Sequence, residues 1–199
     1  MYKRYFAEFV GTFTLSFVVL GAVVTGNAAI AIPVAAALTL ALFVYSIGQI
    51  SGAHINPSVT IAQWSVRKIS NHDAISYIVA QAAGAALAVI VGHLFGLNFP
   101  GALGATAWST KAFFAEALGA FVFNFGIASV VHGKVTEHTS GLVVGGSLLL
   151  GIIIASVAGS AAILNPAVAG ALSALSVVYV FAPIVGAIAG AHAYRYLVS

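Results

Sequence analysis

The sequence predicts an all-α membrane protein with six transmembrane helices and two half-length re-entrant helices, folded as an inverted repeat in one domain over 1–199. Three observations predict it. The composition is 61% hydrophobic and 6% charged, with a mean hydropathy of +1.10. A soluble domain carries about a quarter charged residues, so lipid is the solvent that fits. Six stretches approach the roughly 20 apolar residues needed to cross a bilayer. The first half of the chain also recurs in the second.

The first span is placed at 5–25. Lys3 and Arg4 precede its apolar run as they would in a cleaved leader. Glu8 interrupts that run, however, and a near-copy recurs in mid-chain, so it reads as a permanent helix. The second span is placed at 32–50. A short segment then starts at Asn56-Pro57 and runs to about 67. It is too apolar for an ordinary loop, and at 1.5 Å per residue it is about 18 Å long, roughly half a membrane. Spans follow at 74–95, 112–132 and 140–158. A second short segment, 165–175, starts at Asn165-Pro166, and the last span is 178–198.

The charges set the topology. Of the seven Lys and Arg residues, Lys3, Arg4, Arg67, Lys68, Lys134 and Arg195 fall on one side if there are six crossings and the N-terminus is inside; Lys111 alone falls outside. That is the positive-inside pattern.

The repeat orders the chain. Phe6-Ala7-Glu8-Phe9-Val10-Gly11-Thr12-Phe13-Thr14-Leu15-Ser16-Phe17 aligns with the segment from Phe114 to Phe125, with six of twelve positions identical at an offset of 108. The two Asn-Pro pairs lie 109 apart. A Glu in matching register within lipid-buried helices is not a cheap coincidence. Three spans per half is odd, so the halves, roughly 1–100 and 108–199, must be oppositely oriented.

The Asn-Pro pairs carry the chemistry. Asn suits a helix N-cap and Pro the first turn. Opposed repeats bring the two helix starts together near the midplane. Each start presents free N–H groups and about half a positive charge, and Asn56 and Asn165 add amide donors. A water there points its oxygen at both donors, which interrupts proton hopping, and cations are disfavoured. The small residues before each Asn permit extended backbone, whose carbonyls need a water-filled cavity to satisfy them.

These features resemble the major intrinsic protein family, the aquaporins and glycerol facilitators. The resemblance spans nearly the whole chain: Glu8-Phe9-Val10-Gly11-Thr12, then Ser51-Gly52-Ala53-His54-Ile55-Asn56-Pro57, then Asn165-Pro166-Ala167. It implies a right-handed bundle, a homotetramer with one pore per subunit, and passive flux of water and small neutral solutes. The pore's central motifs would be Asn56-Pro57-Ser58 and Asn165-Pro166-Ala167. Ser58 replaces the usual Ala, a small change. Val168 stands where the family places an arginine, and no Lys or Arg occurs between Lys134 and Arg195. Counting back from each Asn, the resemblance puts the rest of the selectivity filter at Ala36, Ile153 and Ala162. A filter of Ala36, Ile153, Ala162 and Val168 is apolar and wide, so glycerol, ammonia or hydrogen peroxide are expected beside water. An apolar constriction also permits gating by dewetting. Ala169 stands where glycerol facilitators carry Asp.

The remaining polar residues have plainer readings. Glu8 and Glu116 are intramembrane carboxylates, which are functional candidates by default; the resemblance instead makes them acceptors for the re-entrant loops. His54 is expected to brace the first loop. The other histidines show no metal-ligand spacing. No nucleophile–base constellation, phosphate loop or cofactor motif argues for an enzyme, and no cofactor or metal is expected. The net charge of +3 is too dispersed for nucleic acid. There are no cysteines. Three rivals stand beside a water channel: a channel tuned to another neutral solute, a non-conducting structural protein, and a carrier that moves protons on Glu8 or Glu116. Short loops point to a prokaryotic inner membrane, with both termini cytoplasmic.

Overall fold

The computed structural model describes residues 2–26, 31–97 and 108–199. They form eight α-helices: α1 (Tyr2–Thr25), α2 (Ile32–Ser51), α3 (Pro57–Ser65), α4 (Asn71–Leu94), α5 (Thr110–Val131), α6 (Glu137–Val157), α7 (Pro166–Ala171) and α8 (Val177–Val198). Six are long and apolar enough to cross a membrane. The short pair, α3 and α7, follows the two Asn-Pro motifs. The junction expected between the halves falls in 98–107, outside the described residues.

Helix ends differ from the hydropathy reading where capping decides them. α4 starts at Asn71 rather than 74 because the Ser70 hydroxyl accepts from the backbone N–H of Asp73 at 3.1 Å. Ser109 and Ser176 cap α5 and α8 in the same way. α7 is shorter than expected and stops at Ala171. Ser173 turns the chain at φ 53°, and the Ala174 N–H donates back to the Ala169 carbonyl at 2.8 Å.

The packing repeats with the sequence. α1 lies along α4 as α5 lies along α8, α1 touches α2 as α5 touches α6, and α2 meets α6 between the halves. Each half-helix packs on the last long helix of the opposite half, α3 on α8 and α7 on α4. The halves therefore share one interior. Close helix contacts favour small residues, and the tightest need glycine. A Cβ at Gly84 of α4 would lie 2.4 Å from the Phe9 carbonyl oxygen, and one at Gly186 of α8 would lie 1.9 Å from that of Ala117.

Charge separates by face. His132, just beyond α5, is held below its ordinary pKa by burial first, and then by Lys68, Arg195 and Lys134 nearby. Those three cations therefore gather on one side. Lys111 sits against Gly159 at the end of α6, where a cation suits the helix C-terminus.

Candidate functional site

The two loops leading to the half-helices have the same strained path. Ala53 and Ile55 sit at φ 49° and 39°; their repeat partners Ala162 and Leu164 sit at 56° and 54°. Left-handed geometry costs about 1–2 kcal/mol for each such residue. What holds the loops is a buried carboxylate in each half. Glu8 accepts from the Ser51 hydroxyl at 2.7 Å and the His54 N–H at 2.9 Å on Oε1, and from the Ile55 N–H at 2.6 Å on Oε2. Glu116 accepts from the Ser160 hydroxyl and from the Ile163 N–H at 3.0 Å on Oε1, and from the Leu164 N–H at 2.8 Å on Oε2. Both glutamates are fully buried. Their oxygens are occupied by loop donors.

The first loop carries extra bracing. Gln81 of α4 donates to Glu8 Oε2 at 2.8 Å and to Thr60 Oγ1 at 2.9 Å. Thr60 in turn donates to the Asn56 carbonyl at 3.2 Å. His54 Nδ1 lies 3.1 Å from Thr60 Oγ1. Because that hydroxyl already donates elsewhere, the network favours a proton on Nδ1. Tyr77 donates to the Ser51 carbonyl at 2.7 Å and stands edge-on to the His54 ring. In the second half the positions matching His54 and Thr60 are Ile163 and Ala169, and Pro183 matches Gln81 in the register set by Gly84 and Gly186. Sequence reasoning missed Gln81, Thr60 and Tyr77. A Gln within an apolar span is the same kind of signal that singled out Glu8.

Asn56 and Asn165 meet across the interface of the halves. Each caps its own helix: Asn56 Oδ1 accepts from the Ser58 N–H at 2.9 Å, and Asn165 Oδ1 from the Ala167 N–H at 3.0 Å. Pro57 and Pro166 open the two helices at the first position. The amide nitrogens cross over. Asn56 Nδ2 donates to the Leu164 carbonyl at 3.0 Å, and Asn165 Nδ2 to the Ile55 carbonyl at 3.1 Å. Each amide thus spends one N–H on the opposite loop and keeps the other, and both side chains border one cavity. Ser58 tightens the junction, with its hydroxyl 2.8 Å from Asn56 Oδ1 and 3.3 Å from the Leu164 carbonyl.

A cavity of about 290 Å³ lies on the side of the asparagines remote from the chain termini. Leu15, Val19 and Val23 of α1 form one wall, and Leu148, Ile152 and Ser156 of α6 another. Of the four expected filter residues, Ala36, Ala162 and Val168 border it; Ile153 does not. Ile153 faces outward and is 46% exposed, while Ile152 is 8% exposed and borders the cavity. The expectation is corrected by one residue. The inward stripe of α6 runs Leu148, Ile152, Ser156 in steps of four, and Ser156 adds a hydroxyl that sequence reasoning did not find. His54 also reaches this cavity.

Comparisons with known proteins identify the family and the fold. The family model described as major intrinsic protein matches residues 1–194. The glycerol uptake facilitator protein-like 6 of Lactiplantibacillus plantarum is 39% identical, covering 97% of this chain and 97% of that protein. Aquaporin AqpM of Methanothermobacter thermautotrophicus is 34% identical, covering 99% and 98%. The X-ray structure of the aquaglyceroporin from Plasmodium falciparum superposes with a TM-score of 0.65 at 23% identity, over 98% of this chain and 94% of that one.

Proposed function

Because the chain belongs to the major intrinsic protein family, and is therefore a passive transmembrane channel rather than an enzyme, we propose that its pore passes small uncharged solutes such as glycerol, ammonia or hydrogen peroxide as well as water. One observation carries the reading. Two Asn-capped half-helices meet at a cavity whose wall holds Ala36, Ala162, Ile152 and Val168 and, among the described residues, no charged side chain. Small apolar residues leave room for a solute wider than water. The capped helix starts and the remaining amide N–H groups disfavour cations. With Val168 in place of an arginine, that duty falls to the helix ends alone.

By the same resemblance, the protein is proposed to assemble as a homotetramer with one pore in each subunit. It is proposed to lie in a prokaryotic inner membrane with both termini cytoplasmic; the gathering of Lys68, Lys134 and Arg195 around His132 supports that orientation.

Stopped-flow light scattering on proteoliposomes tests the selectivity. Wild type is expected to pass water and glycerol well above empty vesicles, and Val168→Arg to suppress glycerol while keeping water. Wild-type vesicles no more permeable than empty ones would sink the proposal and favour a structural role.

A further inference from the structure

Gln63 is 2% exposed, and neither its amide nitrogen nor its amide oxygen has a hydrogen-bond partner among the described residues. A buried amide without partners is costly, so its surroundings matter. The faces of α3 identify them. Ala62 and Val66 pack on Ala187 and Ala191 of α8. Thr60 and Trp64 bond toward α4, to Gln81 and Asn71. The buried side left over carries Val59 and Gln63, one turn apart. Val59 belongs to the apolar cluster that also holds Val168, Phe123 and Leu148 of the cavity wall.

The inverted repeat points the same way. Val59 stands three residues after Asn56 as Val168 stands three after Asn165, and Gln63 stands seven after as Leu172 does. Val168 and Leu172 both border the cavity remote from the termini. The repeat therefore puts Val59 and Gln63 at the matching place in the half of the pore nearer the termini.

We propose that the Gln63 amide is a polar station on the pore wall, offering a donor and an acceptor to the water or hydroxylated solute in transit, and so a specificity-determining residue of the channel. The proposal rests on the channel reading. An amide suits a neutral molecule that both donates and accepts, as water and polyols do. It complements the apolar wall on the other side of the asparagines.

The absence of cysteine from the chain provides a clean test. Gln63→Cys and Ala62→Cys are each reconstituted in liposomes and treated with a small water-soluble methanethiosulfonate. The reagent is expected to label Gln63→Cys and cut its osmotic water permeability at least threefold, while Ala62→Cys, facing α8, stays unlabelled. Gln63→Met, close to Gln in size but without the amide, covers the case in which the cysteine variant does not fold; its glycerol-to-water permeability ratio is expected to change at least twofold. A folded Gln63→Cys whose flux is the same before and after the reagent, or a Gln63→Met with the wild-type ratio, overturns the proposal alone. Wild-type vesicles indistinguishable from empty ones overturn the channel reading and this proposal with it.

Discussion

A carboxylate inside a membrane bundle is tolerated when every lone pair it presents has a donor. Glu8 and Glu116 meet that condition unequally. Among the described residues, both oxygens of Glu8 take two donors each, whereas Oε2 of Glu116 takes one. A Gln at position 8 must turn its NH2 group against two donors in either orientation. At position 116 it can turn toward the Leu164 N–H alone. Glu8→Gln is therefore expected to lower stability by about 1–3 kcal/mol, and Glu116→Gln by less, read as thermal unfolding midpoints in detergent. An equal or reversed order would mean that the donors do not set the cost. A carrier that moved protons on these groups would instead lose pH-driven flux in both variants. At this scale the sequence was legible where a residue broke the apolar pattern, as Glu8 and the asparagines do. It was not legible where rotation about a helix axis decides, because Ile152, Ile153 and Ile154 are chemically alike and only the fold turns one of them inward.

The long helices were legible from hydropathy, since each needs an apolar stretch of fixed length. Their ends were not, because serines at positions 70, 109 and 176 act through capping bonds that hydropathy does not register. Contacts between helices depend on backbone approach. The α5–α8 pair closes over Gly186, where a Cβ would meet the Ala117 carbonyl oxygen at 1.9 Å. Gly186→Ala is expected to push the helices apart and cost about 1–3 kcal/mol. Thermal unfolding beside Gly146→Ala, whose Cβ meets nothing within 4 Å, isolates the effect. A Gly186→Ala protein as stable as Gly146→Ala would show that the pair does not need this close approach.

For the whole molecule, the inverted repeat was legible because its markers are polar residues that lipid makes expensive: Glu8 with Glu116, and Asn56 with Asn165. The register that matches α4 to α8 was not, because it rests on small residues common to both. Neither half holds a complete pore, since each asparagine amide bonds to a carbonyl of the other half. Two peptides cut between residues 103 and 104 are expected to conduct water only when reconstituted together, and flux through vesicles holding the first peptide alone would refute this. The same crossed bonds impose a timetable on synthesis. Asn56 leaves the ribosome 108 residues ahead of the carbonyl it binds, so the first half-helix has its Glu8 tether early and its bond to the other half late. The channel is closed off from its final form until the last stretch of chain arrives. A chain interrupted before Leu164 lacks the carbonyl that Asn56 binds across the halves.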